Sequence, residues 1–93
     1  MDFSGEWDSE WGRVRLEQRG YEASGTYTYI GDDRPVEGRL EGVVTGQVFR
    51  FRWSEASGSG FGWFSMTGDG GAFVGEWWSE QGDEPQGWHG VRR

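Results

Sequence analysis

The sequence contains no cysteine, a single histidine and few long aliphatic side chains. Without cysteine the chain can form neither disulfides nor thiolate sites. His89 has no partners at the spacing typical of a zinc site or of a Ser-His-Asp triad. No apolar run approaches the ~18 residues that span a membrane. We therefore predict a protein that is not an enzyme and that has no metal site, no cofactor and no membrane partner.

Basic side chains are also scarce, with nine Lys and Arg against sixteen Asp and Glu, which gives a net charge of −7. Nucleic-acid grooves and proteins on anionic membranes need a basic field, so both partners are disfavoured. Asp32-Asp33 and Asp83-Glu84 offer oxygen ligands for Ca²⁺, but neither pair follows the EF-hand spacing. Nothing in the sequence selects a pair of carboxylates for glycoside hydrolysis. The acidic residues are therefore interpreted as solvated surface.

The first residues, MDFSGEW, lack the basic and apolar regions of a signal peptide. The lack of cysteine also fits a reducing compartment. We therefore expect a cytoplasmic protein, unless the chain is part of a longer one.

Glycine and aromatic residues are abundant instead. The chain has 18 glycines, seven Trp, six Phe and three Tyr in 93 residues. One domain of this length, 1–93, buries only a thin core, and each buried ring hides about 150–250 Å². The core must therefore be aromatic. Glycine far above the usual ~7% is typical of tight turns and of strands that bend around large rings.

Alternating apolar and polar residues predict an all-β protein of about eight short strands. These strands cover residues 3–8, 13–19, 21–30, 36–44, 47–53, 61–67, 72–79 and 87–92. Loops are predicted over 31–35 and 54–60, and the Asp-Gly pair at 69–70 predicts a hairpin. Short connections favour an up-and-down antiparallel meander. Eight strands can close into a small barrel that is filled by side chains or has space for one small ligand.

Short phrases recur along the chain. Residues 5–12, GEWDSEWG, match residues 75–82, GEWWSEQG, at six of eight positions. Trp-Ser-Glu at 53–55 and 78–80 is followed by Gly-Trp at the same spacing. We interpret the repeat as duplication or as recurring turn chemistry, and chance matches in a Gly- and Trp-rich chain are the alternative.

Gly5-Glu6-Trp7, close to the start of the predicted barrel, resembles the Gly-x-Trp mark of calycins, the group of lipocalins, fatty-acid-binding proteins and avidins. The avidin branch is similar in the order of its elements, including a Gly-Thr-Tyr strand matched by Gly25-Thr26-Tyr27 and an aromatic-rich fifth strand. This resemblance implies a ligand-binding barrel. It also implies a late arginine, Arg92 or Arg93, that packs on Trp7.

A second resemblance covers only the C-terminal half. Gly58-Ser-Gly-Phe-Gly, an Asp-Gly turn and the segment 73–77 are similar to MORN-like hairpin repeats. Arrays of such repeats usually serve as interaction scaffolds, so this resemblance implies a protein partner.

The regular apolar faces supply candidates for a site that stacks a small apolar or aromatic ligand at one end of the barrel. The candidate ligand-binding residues are Trp7, Tyr27, Tyr29, Phe51, Trp53 and Trp77. The alternative is that these rings only fill the core. We predict a non-catalytic binding module as the first function.

Some rings must lie outside the barrel, because neighbouring residues such as Trp77 and Trp78 point to opposite faces of a strand. We predict a contact surface for a protein partner or a second copy, formed by Trp63, Trp78 and Trp88. A structural or interaction domain with a solid aromatic core is thus the alternative function. Arg50 and Arg52 are expected outside, unless strand 47–53 is reversed and they face a polar lumen.

Overall fold

The computed structural model of the chain describes residues 2–82 and 84–93. The fold is all-β, as predicted, and its strands are antiparallel. They are β1 Gly5–Ser9, β2 Gly12–Arg19, β3 Glu22–Gly31, β4 Arg34–Thr45, β5 Val48–Glu55, β6 Gly58–Met66, β7 Ala72–Ser79, β8 Gln86–Gly87 and β9 Gly90–Arg92. Among the described residues, no helix has the length and apolar character needed to span a membrane.

The strands form a closed barrel. From β1 to β7 each strand pairs with the next, as in the predicted meander. The short strand β9 then closes the ring, because it pairs with β1 on one side and with β7 on the other. The two-residue strand β8 is an additional pairing on β7. Closure removes the unpaired edges that an open sheet would expose.

The single strand predicted over 87–92 is wrong, because the chain is interrupted at Trp88 and His89 between β8 and β9. The backbone N–H of His89 donates to the side-chain carboxylate of Glu10 instead of to a strand carbonyl. Trp88 N still donates to Gly75 O at 2.9 Å, so β8 and β9 follow β7 in one register.

Two predicted loops are tight turns. Only Asp32 and Asp33 separate β3 from β4, and only two residues separate β5 from β6. Asp32 and Asp33 have φ values of 50° and 62°, the left-handed conformation that a two-residue type I′ turn requires and that Asp tolerates. Pro35 was predicted in a loop but pairs with Ile30 in the ladder. It is tolerated there because the β4–β5 pairing starts only at Arg39, so no neighbour needs its missing N–H.

The interior is aromatic, as predicted. The buried core consists of Phe3, Trp7, Val14, Leu16, Ala23, Tyr27, Leu40, Val44, Phe49, Phe51, Trp53, Phe64, Met66, Phe73 and Trp88. Arg50 and Arg52 are exposed, so the alternative in which they face a polar lumen is wrong. Their strand packs its other face, which carries Phe49, Phe51 and Trp53, against the remaining rings.

The two eight-residue phrases occupy similar places, since each ends a strand and continues into a turn closed by a glycine, Gly12 or Gly82, with a φ of 89° or 87°. The two Trp-Ser-Glu phrases do not. Trp53 is buried, whereas Trp78 lies on the outer face of β7, and Trp63 lies outside whereas Trp88 is buried. The shared turn supports recurring turn chemistry in the first repeat, whereas the opposite faces of the tryptophans in the second give no evidence of duplicated structure.

Arg92, at the end of β9, secures the closure. Its guanidinium carbon lies 4.1 Å from the centre of the Trp7 ring. Its nitrogens donate to the carbonyl oxygens of Ser4 at 2.6 Å, Asp2 at 2.8 Å and Gly70 at 2.8 Å. One side chain thus joins the N-terminal segment, β1 and the β6–β7 loop. Of the two arginines that the resemblance offered, Arg92 is the one on Trp7.

The contact of Arg92 with Trp7 helps to explain why the first residue of the Gly-x-Trp phrase is glycine. Gly5 has a φ of 127°, a conformation that L side chains rarely adopt. A Cβ at this position would also lie 3.1 Å from Nη1 of Arg92. A larger residue would therefore strain the start of β1 and press on the guanidinium.

Arg92→Lys is expected to lower the free energy of unfolding by about 2 kcal/mol or more, because an ammonium cannot stack on Trp7 and reach three carbonyl groups at once. Urea denaturation followed by tryptophan fluorescence measures the loss. Arg93→Lys is the matched control, since Arg93 makes an ion pair with Asp8 at the surface, and it is expected to change stability by less than about 1 kcal/mol. Equal effects of the two substitutions would contradict this role of Arg92.

Candidate functional site

A space of about 180 Å³ lies at the end of the barrel where β1 turns into β2 and β5 turns into β6. It is lined by Trp11, Tyr27, Tyr29, Trp53, Glu55, Ser57, Trp77 and Trp88. Ser57 is exposed, and Trp11, Tyr29 and Glu55 are half-buried. The space therefore opens to solvent and is not an enclosed cavity of the core.

Three pairs of rings around this space meet close to right angles. The centre of the Trp77 ring lies 5.3 Å from that of Trp11 and 5.5 Å from that of Trp53, with interplanar angles of 89° and 88°. Trp11 also meets Tyr29 edge-on, at 6.1 Å and 81°. Edge-to-face pairs of this kind are favourable contacts between aromatic rings. In these edge-to-face pairs the rings form adjacent walls of the space and do not stack across it.

Hydrogen bonds hold three of the indoles. Nε1 of Trp11 donates to Gly87 O at 3.0 Å, and Nε1 of Trp53 donates to Trp78 O at 3.1 Å. Nε1 of Trp88 donates to Ser9 Oγ at 3.0 Å. Trp77 differs, because its buried Nε1 is the side-chain donor left without an acceptor among the described residues. A buried donor without an acceptor destabilises a fold by about 1–3 kcal/mol.

Glu55 supplies a carboxylate among these rings. Its Oε1 accepts a hydrogen bond from the Tyr27 hydroxyl at 2.6 Å. Its Oε2 accepts from the hydroxyls of Tyr29 at 2.9 Å and Ser57 at 2.8 Å. In the described part of the chain no Arg or His lies within ion-pair distance of Glu55; the ion pairs there involve Glu6, Asp8, Glu10, Glu17 and Glu80.

The two tyrosines are held as donors. Burial raises the pKa of Tyr27 far above its usual range, and the hydrogen bond to Glu55 raises it further. Burial and the same carboxylate also raise the pKa of Tyr29. Both hydroxyls therefore remain protonated and donate to Glu55 at neutral pH.

Four of the six predicted ligand-binding residues meet at this space: Tyr27, Tyr29, Trp53 and Trp77. The other two do not line it. Trp7 is completely buried beneath Arg92, where its Nε1 donates to Phe3 O. Phe51 lies deeper in the core, in contact with Phe64.

The prediction that Trp88 is an interface residue is wrong. Its side chain is only 3% exposed and packs edge-on against Tyr27, Phe51 and Phe64. The reason is the alternation along residues 87–92, which places Trp88 on the same inward face as Arg92. It is a wall of the space instead of a surface contact.

Sequence reasoning also missed Trp11, Glu55 and Ser57 as lining residues. Trp11 and Ser57 lie in turns, where the alternation of a strand gives no direction. The inward position of Glu55 could have been predicted, because Glu55 follows Trp53 by two residues and therefore shares its face of β5.

Trp63 and Trp78 lie on the outer face, as predicted, where both are half-buried. Phe61 lies between β5 and β7 on the same face and is 41% exposed. It pairs with Trp78 across the strands, and the guanidinium of Arg52 lies 5.4 Å from its ring centre. We call Phe61, Trp63 and Trp78 the outer aromatic patch.

The structure adds no support for the other candidate sites. Among residues 2–82 and 84–93, no group of three or more His, Cys, Asp and Glu side chains is placed to hold a metal ion. Asp32 and Asp33 form a turn, and Asp83 of the second acidic pair lies outside the described residues. His89 is exposed, with its Nδ1 at 3.0 Å from Glu10 Oε1.

Comparison of the chain with models of protein families, with curated proteins and with solved structures finds no match. The site must therefore be interpreted from its own geometry.

The raised pKa values predict a pH dependence of stability. A group whose pKa is raised in the folded state stabilises the fold fully below its unfolded pKa, about 10 for tyrosine, and loses that contribution as pH rises further. We therefore expect the free energy of unfolding to fall above about pH 10. Urea unfolding between pH 7 and 11.5 measures this fall, which is expected to be shallower in the Tyr27→Phe, Tyr29→Phe double variant. Identical slopes in both proteins would contradict the prediction.

Proposed function

We propose that this protein is a non-catalytic binding module and that the aromatic-lined end of the barrel holds a small ligand. The observation that carries the proposal is the space of about 180 Å³ between rings that are already held in place. Such a preformed pocket loses little side-chain freedom when it binds. A few fixed polar groups among aromatic walls are typical of small-molecule sites.

The size of the space limits the ligand. An engineered cavity of about 150 Å³ in another protein is large enough to hold benzene. The space here is of similar size and opens to solvent, so it fits one small ligand or one end group of a larger one. Drug-sized ligands occupy sites of about 300–1,000 Å³ and would extend outside.

We further propose a relationship to calycin barrels. The closed meander, the glycine of Gly5-Glu6-Trp7 and the packing of Arg92 on Trp7 support it. The MORN-like pattern accounts for the β6–β7 hairpin alone and does not explain closure through β9.

The binding proposal is tested with a set of small fragments that are neutral, anionic or cationic, observed through the indole N–H signals of ¹⁵N-labelled protein. At least one class is expected to shift the signals of Trp11, Trp53 and Trp77 while that of Trp63 stays unchanged. Trp11→Leu is expected to weaken this binding at least about tenfold, since it removes one wall of the pocket.

Trp63→Leu is the matched control on the outer face, and it is expected to bind like the parent protein. The proposal fails if no fragment shifts the pocket indoles at millimolar concentration, or if the fragments shift only the outer ones.

A second function is favoured by the outer aromatic patch. There Phe61 is 41% exposed, and Val74, further along the outer face of β7, is 47% exposed. Apolar surface of this kind is typical of contact sites. Arg52 and Glu80 form an ion pair beside Phe61, so the surface carries both signs of charge. A surface with both signs can complement a second copy of itself across a two-fold axis. The barrel would then act as an interaction domain that self-associates.

Trp78→Ser tests this second function. It is expected to lower the mass measured by sedimentation equilibrium towards that of one chain. The free energy of unfolding of the dissociated chain is expected to change by less than about 1 kcal/mol. Ile30→Ser, which alters an exposed apolar residue elsewhere, is expected to leave the mass unchanged. A parent protein that sediments as one chain at all concentrations would refute self-association.

A further inference from the structure

We propose that the ligand of the aromatic-lined end carries a methylated ammonium group, as in choline or trimethyllysine. This inference rests on the proposed binding function and specifies the chemistry of the ligand. Three features of the site carry it: the ring walls, the unpaired carboxylate and the shortage of free acceptors.

The ring walls favour a cation. Trp11, Trp53 and Trp77 form adjacent walls at right angles, and Tyr29 extends the wall beside Trp11. A group in the space therefore has indole and phenol rings in its walls on several sides. The faces of such rings are negative, Trp being the strongest, and attract a cation that lies within about 6 Å of the ring centre.

Glu55 adds a full negative charge to the same wall. Three hydroxyl donors fix its position, but they are neutral and leave the charge uncompensated. No cationic side chain of the described residues pairs with it, and Arg52, which directly precedes Trp53 and lies on the outer face of β5, pairs with Glu80 instead. A half-buried carboxylate without a counter-charge is unfavourable. A bound cation would compensate it, and a neutral apolar ligand would not.

The hydrogen-bonding capacity of the site selects a methylated cation over a primary ammonium. An –NH₃⁺ group has three donors to satisfy. Three hydroxyls already occupy acceptor positions on Glu55, and most of the remaining wall is ring surface. A trimethylammonium group has no N–H to satisfy and buries methyl groups against the rings. A space of about 180 Å³ is large enough for such a group.

The test compares choline with 3,3-dimethylbutan-1-ol, the neutral alcohol in which carbon replaces the nitrogen. Titrations of ¹⁵N-labelled protein followed by the indole N–H signals give both dissociation constants. Choline is expected to bind at least about tenfold more tightly, because shape is shared and only the charge differs. Nε-Trimethyllysine, titrated in the same way, tells whether a free small ligand or a modified side chain is the better source of the cation.

Glu55→Gln removes the charge and is expected to reduce the preference for choline over the alcohol at least about fivefold. Glu41→Gln changes the net charge equally at an exposed position outside the pocket, and it is expected to keep the preference. The affinity of the alcohol for the Glu55→Gln variant shows whether the pocket keeps its shape. If the pocket does not keep its shape, the ratio of the two dissociation constants in the parent protein tests the inference by itself.

The outcomes separate this inference from the binding function on which it rests. If the alcohol binds as well as choline or better, the cation inference is wrong and the binding module stands. If neither choline nor trimethyllysine shifts the pocket indoles, the inference is also wrong, and the fragment set decides whether the pocket binds anything.

Discussion

The contact between the guanidinium of Arg92 and the ring of Trp7 is the interaction on which the barrel depends. It lies where the three-residue strand β9 joins β1 to β7, the shortest connection in the ring. So few ladder bonds would close a 93-residue meander weakly by themselves. The guanidinium adds three hydrogen bonds to carbonyl groups of separate segments. Without this closure, β1 and β7 would be open edges beside exposed aromatic residues.

The interior of the closed barrel has two ends that differ in how tightly their side chains pack. Around Trp7 the rings of Phe3, Phe49 and Phe73 pack closely, and these side chains are at most 1% exposed. At the opposite end the interior also contains the carboxylate of Glu55, and its indoles stand at right angles. A solid core and an open pocket are therefore not alternatives in this protein. The packed end stabilises the barrel, and this stability allows the other end to hold a charged group among rings.

The sequence was sufficient for the parts of the structure that follow from local alternation. The period of two placed Phe49, Phe51 and Trp53 inside and Arg50 and Arg52 outside, because one face of each strand is buried. It could not place Trp11, which lies in a turn and reaches the pocket only through tertiary contacts. Trp88, by contrast, follows the period of two with Arg92, so the sequence could have placed it inside. The interruption of the last strand beside Trp88 could not be predicted, because it rests on the contact of the His89 amide with the Glu10 carboxylate across the closure. Contacts over 79 residues leave no periodic trace in the sequence.

Amide hydrogen exchange at the closure tests the account most directly. The N–H groups of Arg92 and Arg93 donate to Gly71 O and Glu6 O, on opposite sides of β9. If the barrel is closed, these amides exchange only when the whole protein unfolds. Their free energy of opening should then equal that of Tyr27 and Leu40 in β3 and β4, and match the value from urea denaturation. Exchange at Arg92 and Arg93 that is orders of magnitude faster, while Tyr27 and Leu40 remain protected, would show an open sheet and contradict the account.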